Sequence, residues 1–184
     1  RWMSMAPIPP CRMMTERLVL RPTSVSDVER AFEIQSDWDV TRMLRMAAFP
    51  PDRERIEAWF ADHGREWGAG EAYRFAVELE GRFIGVVDVD EISGQEGELG
   101  YWFEQASWGR GYAREAAQAV VDFAFEKVRL RGLRSGHAAE NAASENILLK
   151  LGFQPLDIVR VESRSRGQDI QQQRYLLSAP LLGV

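Results

Sequence analysis

The chain has 184 residues, 45 % hydrophobic and 28 % charged, with a formal net charge of −5. That length and balance suit one globular domain with a full core. The negative charge argues against general nucleic-acid binding, which needs a basic face, and no apolar run reaches the ~18 residues of a membrane-spanning helix.

Residues 1–14 read as a flexible arm, ahead of a single domain over 15–184. Met3 to Pro10 holds no sustained apolar segment, so no signal peptide is expected there. The one cysteine, Cys11, falls in the arm. It excludes an internal disulfide and fits a reducing, cytoplasmic location. Leu18 to Pro22 is a short strand closed by proline. Ser24 to Gln35 reads as a helix, with Val28, Ala31 and Phe32 on one face and Asp27 and Glu29 near its start. Asp37 to Pro51 is irregular, its Trp, Met and Phe side chains serving as core, lid or pocket lining. Asp52 caps a helix running to about Gly68, with Ile56, Trp59, Phe60 and His63 on one side.

From Tyr73 the period changes to two. Phe75, Val77 and Leu79 alternate with Ala76 and Glu78, Glu80-Gly81 makes a tight turn, and Phe83 to Asp90 returns. A loop over 93–97 leads to a strand at Glu98–Phe103. Ala113, Ala116, Ala117, Val120, Val121, Ala124 and Val128 recur at helical spacing. Leu133–Ala139 is a strand, Ala143–Leu151 a helix, Gln154–Ser163 a strand, and Ile170–Ser178 a last strand after a polar turn. The order β-α-α-β-β-β-α-β-α-β-β describes an α/β fold of seven strands and about four helices. Its sheet is mixed and mostly antiparallel, with one parallel crossover through the longest apolar helix.

The stretch Trp108-Gly109-Arg110-Gly111-Tyr112-Ala113-Arg114 lies between that crossover's first strand and its helix. Gly109 and Gly111 let a ligand approach the backbone closely. The free N–H groups and dipole of the helix start favour an anion such as a phosphate. Arg110 and Arg114 add positive charge. There is no Gly-Lys-Ser/Thr, so this is no P-loop, and Arg114 stands where a dinucleotide fingerprint needs its third glycine. The isolated His63 and His137 lack carboxylates at metal-ligand spacing, so no metal is expected.

Trp108 to Ala116, followed by Asn141-Ala-Ala-Ser144 and Lys150-Leu-Gly-Phe153, resembles the GNAT acetyltransferase family. In detail it resembles the ribosomal-protein N-terminal acetyltransferase (RimJ/RimL-like) branch, which the opening Thr15 to Pro22 and the Gly100-Tyr101-Trp102 element also fit. The resemblance spans about residues 15–178 and implies the GNAT fold. It implies acetyl-CoA as cosubstrate and an amine as acceptor, a peptide N-terminus or a small molecule, in a monomer or homodimer. It puts the diphosphate on the amides of Gly109 to Arg114 and the pantetheine arm along Tyr101 to Phe103. Asn141 and Ser144 then face the thiol end. Two departures stand out. Trp108 occupies a place where the wider family has Gln or Arg, and Leu148 one where many members carry a tyrosine acid.

The chemistry needs a group to accept the amine's proton, and an α-amine, titrating near about 8, needs less help than a lysine near about 10.4. Glu98 is the favoured base, with Asp88 and Asp90 as alternatives; strict alternation sets Glu98 on one face with Gly100 and Trp102. A free N–H near Trp102 or Phe103 would serve the oxyanion. Ser144 is the available hydroxyl for the leaving thiolate, unless it only caps its helix. A catalytically weak acyl-CoA-binding module acting through protein partners is the alternative to an enzyme.

Overall fold

The structure, a computed structural model, describes residues 6–181. Eight strands form one sheet: β1 Met13–Met14, β2 Leu18–Pro22, β3 Tyr73–Leu79, β4 Arg82–Ser93, β5 Glu96–Phe103, β6 Gly132–Ala138, β7 Gln154–Ser163 and β8 Gln168–Ser178. The helices are α1 Val28–Gln35, α2 Trp38–Thr41, α3 Arg53–Ala69, α4 Tyr112–Glu126 and α5 Ala142–Lys150. The spatial order is β1-β2-β3-β4-β5-β6-β8-β7. Every neighbouring pair is antiparallel except β5–β6, which the α4 crossover makes parallel.

The class is the expected one, but the count is eight strands and five helices among the described residues, where seven and about four were expected. The additions are a two-residue strand and a one-turn helix, both too short to show a hydrophobic period. Met13 and Met14 pair with Leu20 and Val19, and the Ile8 carbonyl accepts the Trp67 indole N–H at 2.8 Å. The arm is thus tied to the fold from Ile8 onward, and residues 1–5 lie outside the described residues. The expected helix from Ser24 begins as a 3-10 turn over Val25–Asp27, sealed by a capping box between Ser24 and Asp27.

The sheet is packed on both faces. Leu18, Leu20, Phe75, Val77, Val87 and Leu99 form one core with Ala116, Ala117, Val120 and Val121 of α4 and Leu148 of α5. On the other face, Ala76 and Val86 pack with Val28 and Ala31 of α1 and Ile56 and Phe60 of α3. Asp52 caps α3 by accepting N–H groups of Glu54 and Arg55.

One feature of the sheet positions the site. β5 and β6 are registered only at Glu96↔Gly132, Gly97↔Leu133 and Glu98↔Arg134. Beyond Glu98, β5 continues with β4 as far as Phe103↔Gly85, while β6 continues with β8 to Ala138↔Gln172. The two parallel strands therefore fork, and their facing backbone groups lose their ladder partners.

Candidate active site

A cleft of ≈ 1420 Å³ opens at this fork. Its walls include Glu98, Tyr101, Trp102, Phe103, Trp108, Gly109, Gly111, Tyr112, Ala113, Arg114, Asn141 and Ser144. Residues spread over almost 50 positions in the chain are thus collected at one opening, because the α4 crossover returns α5 beside β5. Arg110 alone of the expected site residues does not line it.

The glycine loop is built as a backbone cradle. Gly109 has φ 77° and Gly111 φ 81°, a region costly for side chains bearing a Cβ. Gly111 is the N-cap of α4, and no side chain satisfies the helix's first N–H groups. The loop is braced from β2's approach. Arg17 donates to the Arg110 carbonyl at 2.9 Å and to Glu115 at 2.7 Å, and its guanidinium stacks 4.5 Å from the centre of the Tyr112 ring. Glu115 also accepts from Thr15 Oγ1 and the Arg17 N–H. Burial would raise the Glu115 carboxyl, but these donors hold it below its ordinary value. The Arg17–Glu115 brace joins residues too distant in sequence for any local pattern to reveal.

β5 presents different chemistry on its two faces. Toward α4 and α5 it turns Leu99, Tyr101 and Phe103. There the Tyr101 hydroxyl lies 2.5 Å from Ser144 Oγ. The Ser144 backbone N–H donates to Asn141 Oδ1, so Asn141 is the cap of α5 and the Ser144 hydroxyl is left free of that duty. Burial pushes the Tyr101 hydroxyl up to about 12, against the opposing pull of Ser144. Leu148 is fully buried in the same core. The Trp108 indole N–H donates to the Phe103 carbonyl at 3.0 Å, so the polar atom of this tryptophan secures the end of β5.

The backbone directions on β5 follow from two bonds. The Glu104 N–H donates to Ile84 on β4, and Ser135 Oγ donates to the Leu99 carbonyl from β6. Strand alternation then turns the N–H of Trp102 toward β4 and those of Tyr101 and Phe103 into the fork. Of the two N–H groups expected near the oxyanion, only that of Phe103 faces the opening.

The opposite face carries the carboxylates. Arg74 on β3, 9 % exposed, donates to Asp88 at 2.6 Å, to Asp90 at 3.2 Å and to Glu66 of α3 at 3.0 Å. The Trp59 ring lies 5.0 Å from its guanidinium. Asp88 sits over Gly100, where a Cβ would stand 2.9 Å from its Oδ1. Burial, with Asp90 nearby, pushes the Asp88 carboxyl up to about 7 despite Arg74, because one guanidinium cannot neutralise three carboxylates away from water. Glu98 faces the same side, opposite Asp90 in the ladder. It is solvent-exposed and makes no ion pair among the described residues; partial desolvation, Asp90 and Glu91 raise its carboxyl, against the opposing pull of Arg45 and Arg134. So Asp88 and Asp90 are engaged and Glu98 is free.

The irregular segment after α2 roofs this half of the cleft with Met43 to Ala48. It is strapped by the β7–β8 turn: the Arg164 N–H donates to the Arg45 carbonyl at 2.7 Å, and Arg166 Nε to the Arg42 carbonyl at 2.9 Å. His137, on β6, is held by the Tyr175 hydroxyl and the Ala138 carbonyl, and His63 is a buried neighbour of Trp59 and Phe60. Among the described residues no group of three or more His, Cys, Asp or Glu side chains is arranged to hold a metal, and no helix is long and apolar enough to cross a membrane.

Comparison with known proteins agrees with this geometry. The family model described as an acetyltransferase (GNAT) domain matches residues 17–154. The uncharacterized N-acetyltransferase p20 of Bacillus licheniformis is 28 % identical over 172 residues, covering 90 % of this chain and 94 % of that protein. Two solved structures share the fold. RimL, the ribosomal L7/L12 α-N-protein acetyltransferase in complex with coenzyme A, has a TM-score of 0.81 at 16 % identity, covering 90 % of this chain and 96 % of its own. Mycobacterium smegmatis RimJ in complex with CoA-disulfide has a TM-score of 0.80 at 20 % identity, covering 93 % and 88 %. The forked sheet, the glycine cradle at the start of α4 and the family match together establish that this chain belongs to the GNAT acetyltransferase family and is an acetyl-CoA-dependent N-acetyltransferase.

Proposed function

We propose that the protein transfers the acetyl group to a primary amine by direct attack, with both substrates bound in the forked cleft. The observation that carries this reading is the division of β5. Glu98 stands on one face and the Tyr101–Ser144 pair on the other, with the fork between them. Gly109 to Arg114 supply free amides, a helix dipole and the Arg114 charge for the diphosphate. The unpaired edge of β5 at Tyr101 offers hydrogen bonds to the pantetheine amides. Glu98 accepts the ammonium's proton, directly or through water. The amine then forms the C–N bond, the Phe103 N–H stabilises the oxyanion, and the Ser144 hydroxyl hydrogen-bonds the sulfur as the C–S bond breaks, while the nitrogen's second proton leaves to water or to Glu98, which has passed the first to solvent. The acceptor is a peptide N-terminus or a small-molecule amine, which meets Glu91 and Glu98 beside Arg45 and Arg134 on this side of the cleft.

The test is acetyl transfer to a panel of peptides, polyamines and amine antibiotics, read by mass spectrometry. Transfer to at least one amine with ternary-complex kinetics is expected. Ping-pong kinetics with an acetylated enzyme would reject direct attack.

Two variants probe the cosubstrate half. Gly111→Val forces a β-branched residue into a left-handed φ and sets a Cβ 3.3 Å from the Arg17 guanidinium. Strain of about 1–3 kcal/mol is expected, and coenzyme A affinity by calorimetry should fall about tenfold or more. Normal affinity in a folded variant would move the diphosphate elsewhere. Ser144→Ala should reduce turnover by about 10–10³-fold with coenzyme A affinity within a few-fold, because solvent partly replaces the hydroxyl. Since Asn141 caps α5, its melting temperature should stay within a few degrees.

A further inference from the structure

We propose that Tyr101 is a positioning residue for the departing thiolate, acting through Ser144. The inference rests on the reading of Ser144 as the hydroxyl that meets the sulfur. The distance of 2.5 Å between the two hydroxyl oxygens leaves two arrangements, since either can donate. A serine hydroxyl has a single proton. If Ser144 donated to Tyr101, it would have none for the sulfur. If Tyr101 donates, the Ser144 proton is released toward the cleft, which both side chains line.

Only the second arrangement leaves the serine a proton for the sulfur, and it is the one the proposal takes. Asn141 Oδ1 is occupied by the Ser144 backbone N–H, and the His137 ring is held at both nitrogens by Tyr175 and Ala138. Among the described residues Tyr101 is therefore the partner the Ser144 hydroxyl has. Tyr101 keeps its proton at neutral pH, as a phenol does, and burial raises its hydroxyl further. It is a permanent donor that fixes the serine's rotor and polarises its O–H.

As the C–S bond breaks, the electron pair goes to sulfur and the Ser144 O–H···S bond strengthens, itself strengthened by the bond behind it. No proton has to cross either bond. The nitrogen loses two protons in all, both by way of Glu98 and solvent, and coenzyme A leaves as a thiolate that is protonated from solvent.

The experiment is a double-mutant cycle on turnover of the full chain with Tyr101→Phe, Ser144→Ala and the double variant. Tyr101→Phe should lower kcat about 2- to 10-fold, the worth of one neutral hydrogen bond, with KM for acetyl-CoA within about twofold. In the Ser144→Ala background it should change nothing further, since its only route to the sulfur is gone. A purely structural role would shift melting temperature or KM and repeat its effect in both backgrounds, which would overturn the proposal. So would wild-type kcat in Tyr101→Phe while Ser144→Ala is slow. Wild-type kcat in Ser144→Ala would overturn the reading of Ser144 and this inference with it. Should Tyr101→Phe not fold, fluorotyrosine at 101 keeps the hydroxyl and lowers its pKa. That makes Tyr101 a stronger hydrogen-bond donor, so kcat should change with KM within about twofold and only where Ser144 is present; an unchanged kcat counts against Tyr101.

Discussion

Glu98→Gln should lower kcat/KM for the amine by about 10²–10⁴-fold near neutral pH, the usual worth of a general base. The loss should shrink as pH rises toward the amine's own pKa, where the acceptor deprotonates unaided. The structure singles out Glu98 because its competitors are spoken for. Asp88 and Asp90 are bound by Arg74, at 2.6 and 3.2 Å, while Glu98 lines the cleft without an ion pair among the described residues. Partial desolvation and the neighbouring Asp90 and Glu91 raise its carboxyl, against the pull of Arg45 and Arg134, which makes it a better proton acceptor than an unperturbed glutamate. The acid limb of the wild-type profile should accordingly lie above the ordinary carboxylate range and disappear in Glu98→Gln. A pH–rate profile that does not change would remove Glu98 from the mechanism and leave water as the base.

Arg74→Met should cost about 3–5 kcal/mol of stability, because it leaves Asp88, Asp90 and Glu66 facing one another beneath the sheet without a cation. For a chain of this size that is a fall in melting temperature of about 10 °C. The pH dependence has a definite sign. Burial lifts the folded Asp88 carboxyl above its unfolded value near about 3.9. The folded state therefore binds more protons between those values, and this group's contribution to stability falls as pH rises through that window. Without Arg74 the carboxyls rise further. The deficit of Arg74→Met should thus be largest near pH 8 and narrow as pH is lowered toward 6, in thermal melts run beside wild type. A deficit that stays constant with pH would mean that the arginine contributes packing under Trp59 rather than charge.

Local pattern decided much of this protein. The alternation from Phe75 onward, the Glu80-Gly81 turn with φ 50° and 80°, and the apolar spacing of α4 all depend on neighbours within a few residues. So did the glycine cradle and the face shared by Glu98, Gly100 and Trp102, since strand alternation holds wherever the strand is placed. Strand lengths were less legible. β4 runs to Ser93 and β5 starts at Glu96, because the hairpin continues through an irregular register that ordinary alternation does not mark. What only the tertiary structure decided was which polar groups find each other. Arg17 and Glu115 lie 98 residues apart, Tyr101 and Ser144 43, and Arg74 and Asp88 14. No local period encodes those meetings. The fold makes them by carrying α5 back beside β5 and by closing β3 against β4, and burial then changes their chemistry. It ties Asp88 to Arg74 and sets the Tyr101 hydroxyl against a serine that the sequence alone could equally have read as a helix cap, while Glu98 stays exposed and unpaired among the described residues.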